Sequence, residues 1–206
     1  PVAVAQSYRV QLAKRLLSDS TLPITEIAFA SGFGSLRRFN HVFKSTYGIA
    51  PRDIRRRLGN GAPSTAGPVI PLAYREPYDA PQIFAYLHSR AFPGVEAVVD
   101  GVFRRIVRVG EATGVISVRP DPKSNRLLLT VDPELIGALP QILERVRRMF
   151  DLHADPGAIF ATLGKDPTLA PMIGKRPGLR LPGSWDAFET AIRAILGQQV
   201  SVKAAT

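Results

Sequence analysis

Cysteine is absent from the 206 residues. That removes disulfides, thiolate zinc sites and cysteine nucleophiles, and it leaves a cytosolic setting as the default expectation. Histidine is scarce: His41, His88 and His153 lie far apart and show no metal-ligand spacing, so neither a metal nor another cofactor is expected. No apolar run approaches the roughly 20 residues that a membrane-spanning helix needs, and no membrane partner is expected. Negative charge is in the minority, with 17 Asp and Glu against 27 Lys and Arg. The imbalance is concentrated: residues 1–58 carry ten basic against three acidic side chains, whereas residues 59–206 carry seventeen against fourteen. A short segment this basic favours a polyanionic partner by Coulomb attraction to phosphates. An initiator Met and a signal-peptide layout are also missing. The chain opens on PVAVAQSYRV and closes on SVKAAT inside an apparent helix, so it reads as a piece of a longer protein. What is present is ordinary for a folded chain, at 45% hydrophobic and 21% charged residues.

The clearest boundary is RLGNGAPSTAGPVIP, residues 57–71, whose Gly, Pro, Ser and Asn suit neither a helix nor a central strand. It divides the chain into a helical segment over 1–57, a linker over 58–70 and a mixed segment beyond. In the first segment, Val10, Ala13, Leu16 and Leu17 give the stretch from Val4 to Leu17 one apolar face. Pro23 suits the start of a short helix from Ile24 to Ala30. A tight break follows at Ser31-Gly32-Phe33-Gly34, and Ser35 is placed to cap a helix running to about Tyr47, which Gly48 ends; Pro51 opens a last turn or two.

After the linker the pattern predicts a strand over Pro71 to Glu76 and a helix over Pro81 to Phe92. Three strands follow, Gly101–Val109, Thr113–Arg119 and Arg126–Val131, and then an amphipathic helix over Ile136–Phe150 with a basic outer face. From Asp155 onward only helices are expected, with Pro182-Gly183-Ser184 capping a helix over Trp185–Leu196. By itself this describes a small α+β domain, at 71–152, followed by a helical segment at 153–206.

Two short helices around a glycine-containing turn form the geometry that lays a second helix in the major groove. On that second helix Phe39, Val42 and Phe43 point inward, while Arg37, His41 and Lys44 form a stripe on the other side, flanked by Asn40. Arg, Asn and His can read base edges and Lys suits a phosphate. The pattern alone favours that reading only modestly over an ordinary solvated face on a small helical domain.

The residues Pro23-Ile24-Thr25-Glu26-Ile27-Ala28, Gly32-Phe33, Phe39, Phe43-Lys44, Gly48 and Pro51, with the basic run from Arg52 to Arg57, resemble the AraC-type transcription regulators over about residues 4–56. The resemblance implies the second helix-turn-helix unit and the bridging helix of such a regulator, with Ser35, Leu36, Arg37, Asn40, His41 and Lys44 at the DNA. His41 stands where these regulators often carry Arg, which alters the favoured base step.

In the second half, Pro77-Tyr78-Asp79, Val95-Glu96, Val109-Gly110-Glu111, Gly114-Val115-Ile116 and Arg148-Met149-Phe150-Asp151-Leu152 lead to Arg176-Pro177-Gly178-Leu179-Arg180-Leu181-Pro182-Gly183. Asp186-Ala187-Phe188-Glu189 and Arg193-Ala194-Ile195-Leu196-Gly197-Gln198-Gln199-Val200-Ser201-Val202 close the series. Together they resemble the inducible DNA-3-methyladenine glycosylase II (AlkA) family from about residue 71 onward. The resemblance implies a TATA-binding-like antiparallel sheet with two helices, and then the start of an all-α helix-hairpin-helix glycosylase domain.

Such enzymes flip an alkylated base out of the duplex. The loop matching Gln198, Gln199 and Ser201 then enters the gap, with Gln199 as the plug, and Tyr86 matches a position where the family places an aromatic near the pocket. The family's helix-hairpin-helix, pocket aromatics and catalytic Asp lie beyond residue 206. None of Asp132, Asp155, Asp166 or Asp186 has the required context, so no catalytic residue is assigned and the chain alone is expected to be inactive. The leading expectation is therefore a cytoplasmic, nucleoid-associated bacterial regulator, similar to the Ada-type activators, joined to a glycosylase that excises alkylated purines. Its partners would be promoter DNA, alkylated DNA and RNA polymerase. The alternative is a regulator with an inactive glycosylase-like module, and a third reading is a non-enzymatic DNA-binding protein that grips the backbone with both halves.

Overall fold

The computed structural model describes residues 2–58, 69–198 and 200. They divide into two compact units. The first contains the N-terminal helices α1 (Val2–Asp19), α2 (Ile24–Ala30), α3 (Leu36–Tyr47) and α4 (Pro51–Leu58), with parts of a sheet. The second contains α5 (Ala80–Ser89), α7 (Pro156–Leu163), α8 (Ala170–Lys175) and α9 (Ala187–Leu196), with the rest of the strands. The sheet has five strands, β1 (Val69–Ala73), β2 (Glu96–Val99), β3 (Val102–Val109), β4 (Ala112–Pro120) and β5 (Arg126–Val131), in the order β1-β5-β4-β3-β2. Helix α6 (Leu139–Met149) follows it.

The N-terminal helices close around aromatics. Phe33, Phe39, Phe43 and Tyr47 form a chain of neighbouring rings with centroids 4.9–5.5 Å apart, and Phe39 and Phe43 are fully buried. Leu16, Leu17, Leu22 and Ile27 complete this core. Helices α2 and α3 have the predicted bounds because their ends are written chemically. Ser35 is extended and its hydroxyl accepts from the Arg38 N–H at 3.2 Å, while Gly48 takes a left-handed φ of 70° that lets its N–H reach the Lys44 carbonyl.

In the first unit's share of the sheet, Val107, Val109, Ile116, Leu129 and Val131 are buried together with Leu135 and Leu139. In the second unit, Phe84 and Phe103 both meet the Phe150 ring, and Ile83, Val118 and Leu127 are buried in the same unit.

Several boundaries differ from expectation. A fifth strand, β2, absent from the expected set, follows α5, paired antiparallel to β3 with Val99 opposite Val102. Its turn residues Asp100 and Gly101 both take positive φ, which is the backbone a two-residue hairpin requires. The sixth helix begins at Leu139 rather than Ile136, because a 3-10 segment over Pro133–Ala138 precedes it and Pro140 lacks the N–H to extend an α-helix backward. Helix α9 starts at Ala187 and is capped by Asp186, whose Oδ1 accepts from the Glu189 N–H at 3.0 Å. Trp185 stays outside the helix and is buried instead. The first strand also sits earlier than predicted, at Val69–Ala73.

Candidate nucleic-acid interface

Helix α3 separates its two faces cleanly. Phe39, Val42 and Phe43 are buried, and Arg37, Asn40, His41 and Lys44 are all exposed on the side away from the core. The two remaining candidates behave differently: Leu36 is half-buried, and the Ser35 hydroxyl is engaged in capping. Arg38, not singled out from the sequence, is also exposed and adds a cation beside Arg37. The basic run on α4 is partly structural. Arg55 turns inward, donating Nη2 to the Leu22 carbonyl at 2.9 Å, and burial lowers its pKa; Arg56 pairs with Asp53 at 3.2 Å. The exposed positive charge of this segment is therefore shared among Arg37, Arg38 and Lys44 on α3, Arg9, Lys14 and Arg15 on α1, and Arg52 and Arg57 on α4.

Tyr86 projects from α5 into an open groove of about 590 Å³ lined by Asp79, Gln82, Ser89 and Arg176. The Arg90 guanidinium lies 4.2 Å from its ring centroid, so one face of the ring holds a cation. Gln82 contributes a buried Oε1 with no hydrogen-bond partner among the described residues. Gln198 is exposed just past α9, its N–H donating to the Ile195 carbonyl at 3.2 Å. Gln199 and Ser201 lie outside the described residues.

The segment Arg176–Gly183 serves a scaffold role. Gly178 packs so tightly that a Cβ there would fall 2.7 Å from the Asp79 backbone nitrogen, and one on Gly183 would fall 2.6 Å from the Arg148 carbonyl oxygen. Between them the buried Arg180 donates Nη2 to the carbonyls of Arg75 and Pro77 at 2.6 and 2.8 Å, with its guanidinium 5.2 Å from the Tyr78 ring. Burial pushes the Tyr78 phenol well above its ordinary pKa, and its hydroxyl donates to the Phe150 carbonyl.

The four aspartates considered for catalysis are all occupied by backbone. Asp132 accepts from Val115, Asp155 from Ala158, Asp166 from Thr168 and Leu169, and Asp186 from Glu189. Asp155 also pairs with Arg75. Asp155, Asp166 and Asp186 hold turns or helix starts, and Asp132 ties the end of β5 to β4.

Residues 69–186 match the model of the AlkA N-terminal domain, and residues 1–57 match that of a helix-turn-helix domain. The whole chain is 40% identical to a probable bifunctional transcriptional activator/DNA repair enzyme AlkA of Mycobacterium tuberculosis, covering 42% of that protein. Over 131 residues, 64% of this chain and 44% of the relative, it is 38% identical to DNA-3-methyladenine glycosylase 2 of Escherichia coli K12. The chain thus spans less than half the length of both. The 3-methyladenine DNA-glycosylase of Archaeoglobus fulgidus has a similar fold, with a TM-score of 0.53 at 18% identity over 66% of this chain and 46% of that one. No helix among the described residues is long and apolar enough to cross a membrane.

Proposed function

Because this chain belongs to the AlkA N-terminal-domain family and carries a helix-turn-helix domain ahead of it, we propose that the protein is an alkylation-response transcription regulator joined to a DNA glycosylase. The glycosylase excises alkylated purines such as 3-methyladenine. The observation that carries this reading is the exposed basic face of α3 in the same chain as an AlkA-type sheet that leads into α9 and Gln198. Residues 1–57 form the promoter reader and 58–70 the linker; 71–152 form the sheet domain, and the glycosylase's helical domain starts at 153. Arg37, Asn40 and His41 address base edges, and Lys44 addresses a phosphate. RNA polymerase is the further partner of an activator of this kind, and the protein works in the cytoplasm, on the nucleoid.

On the repair side, a purine alkylated at a ring nitrogen is cationic and leaves readily. An electron-rich aromatic holds that cation, and a carboxylate supports the oxocarbenium-like sugar as the glycosidic bond breaks. Tyr86 is this chain's contribution to the aromatic wall, and Gln198 with Gln199 and Ser201 fills the gap the flipped base leaves. The carboxylate is not among those four aspartates, and the 206-residue chain alone is expected to release no base. The test is base release from methylated duplex DNA by the full-length protein beside this chain. Release by the full-length protein alone supports the reading. No release by either leaves a transcription regulator with an inactive repair-like module.

A further inference from the structure

Helix α9 meets its own unit with its polar face. Phe188 is 75% and Ile195 63% exposed, Leu196 is exposed as well, and none of its residues is buried. The inward face carries Glu189 and Arg193, which join Glu96 of β2 and Arg105 of β3 in a closed ring of four charges. Arg105 donates Nη1 to Glu96 and Nη2 to Glu189. Arg193 donates Nη2 to Glu96 at 3.0 Å and pairs with Glu189 at 2.7 Å, while its Nη1 reaches the Arg90 carbonyl at 2.9 Å. The Arg105 and Glu96 side chains are only 6% and 7% exposed, and the two residues lie directly opposite in the β2–β3 register. Trp185, just before α9, has the guanidinium of Arg145 5.2 Å from its ring centroid.

We propose that Arg105 is a positioning residue for the loop at the end of α9, setting the helix's rotation and axial register and so the direction in which Gln198 is presented. The inference rests on reading that loop as the one that enters the duplex. Apolar packing is non-directional and tolerates rotation, whereas a two-pronged guanidinium between two carboxylates is satisfied in one geometry only. Among the described residues, the ring of charges is the directional contact that ties α9 to β2 and β3. A slip of one residue would turn the helix by about 100° and shift it about 1.5 Å, which carries Gln198, two residues past Leu196, off its bearing.

A purely structural ion cluster would predict a loss of activity only in step with a loss of stability. The discriminating variant in the full-length protein is Arg105→Met with Glu189→Gln, which removes the bridge from β3 to α9 yet leaves Glu96 and Arg193 as a balanced pair. Single-turnover base release from methylated duplex DNA is expected to fall at least about tenfold, with the melting temperature and the affinity for undamaged duplex unchanged. Arg105→Lys, which keeps the charge but loses the fork, is expected to restore neither geometry nor rate. A double variant that releases base at the wild-type rate overturns the proposal, as does one that loses rate only together with melting temperature. If the wild-type full-length protein releases nothing, the reading of the loop fails, and the register is tested on the 206-residue chain by amide exchange over residues 187–198. Exchange faster by about tenfold in the double variant, with other regions unchanged, supports the positioning role, and unchanged protection overturns it.

Discussion

Helices α3 and α9 are both amphipathic and are used in opposite senses. In α3 the apolar face is closed over by aromatic rings and the polar face is exposed, whereas in α9 the half-buried charged face is taken up by ion pairs to the buried Arg105 and Glu96, and the apolar face is open among the described residues. The first arrangement takes its stability from burial, which leaves Arg37, Asn40, His41 and Lys44 exposed. The second takes its orientation from directional charge pairs and leaves its large side chains uncovered. An amphipathic pattern therefore predicts a helix, but not which of its faces meets the sheet.

The largest expected effect is on the aromatic side of this contrast. Phe43→Ala should cost about 3–5 kcal/mol in chemical denaturation of the chain, through lost transfer energy and the cavity left behind. Phe188→Ser also removes an aromatic ring, yet it should change stability by no more than about 0.5 kcal/mol because that ring is already in water. Equal losses for the two would break the comparison. Next comes the buried arginine that holds the scaffold of α9's unit: Arg180→Met should cost about 3 kcal/mol by leaving the Arg75 and Pro77 carbonyls without their charged donor. A smaller effect falls on the caps, where both helices follow the same rule. Ser35→Ala and Asp186→Ala should each cost about 1 kcal/mol by thermal melting, whichever face the helix buries.

The smallest effect is a pH dependence at the β4–β5 turn. Hydrogen bonds from Ser124, the Lys123 N–H and Arg126 lower the Asp121 carboxyl to about 2. A depressed folded-state value means that the contribution is present above the ordinary value of 3.8 and is lost as pH falls through about 2. Asp121→Asn should remove that part of the acid dependence, read as the pH profile of melting, with little change at neutral pH.

The helical segment was legible because its ends are spelled out locally. Pro23 and Ser35 start helices, Gly48 stops one, and the 3.6-residue spacing of Phe39, Val42 and Phe43 identifies the inner face. The later region depended on signals that act at a distance. Strand β2 is only four residues long and carries no extended alternation, although Asp100-Gly101 is a hairpin signal in its own right. Arg105 occupies an inward position in the alternation from Phe103 to Val109, where an apolar residue would ordinarily stand. Such a charge is a cue for a buried partner, but neither Glu96 nor Glu189 can be identified until the strands are paired. In the same way, Arg176–Gly183 was readable as a family signature, while its physical task of close backbone packing required the positions of Asp79 and Arg148. Gln199 and Ser201, the remaining loop candidates, lie outside the described residues.

The most direct test of the contrast between the two helices is the salt dependence of duplex DNA binding by this chain, compared with Arg37→Ala/Lys44→Ala. Should the exposed face of α3 be the DNA-reading surface, the double variant will bind more weakly. Its slope of log K against log salt will then be shallower by about 0.9 for each phosphate no longer neutralised. Unchanged affinity and slope would contradict that role and leave the face a solvated surface.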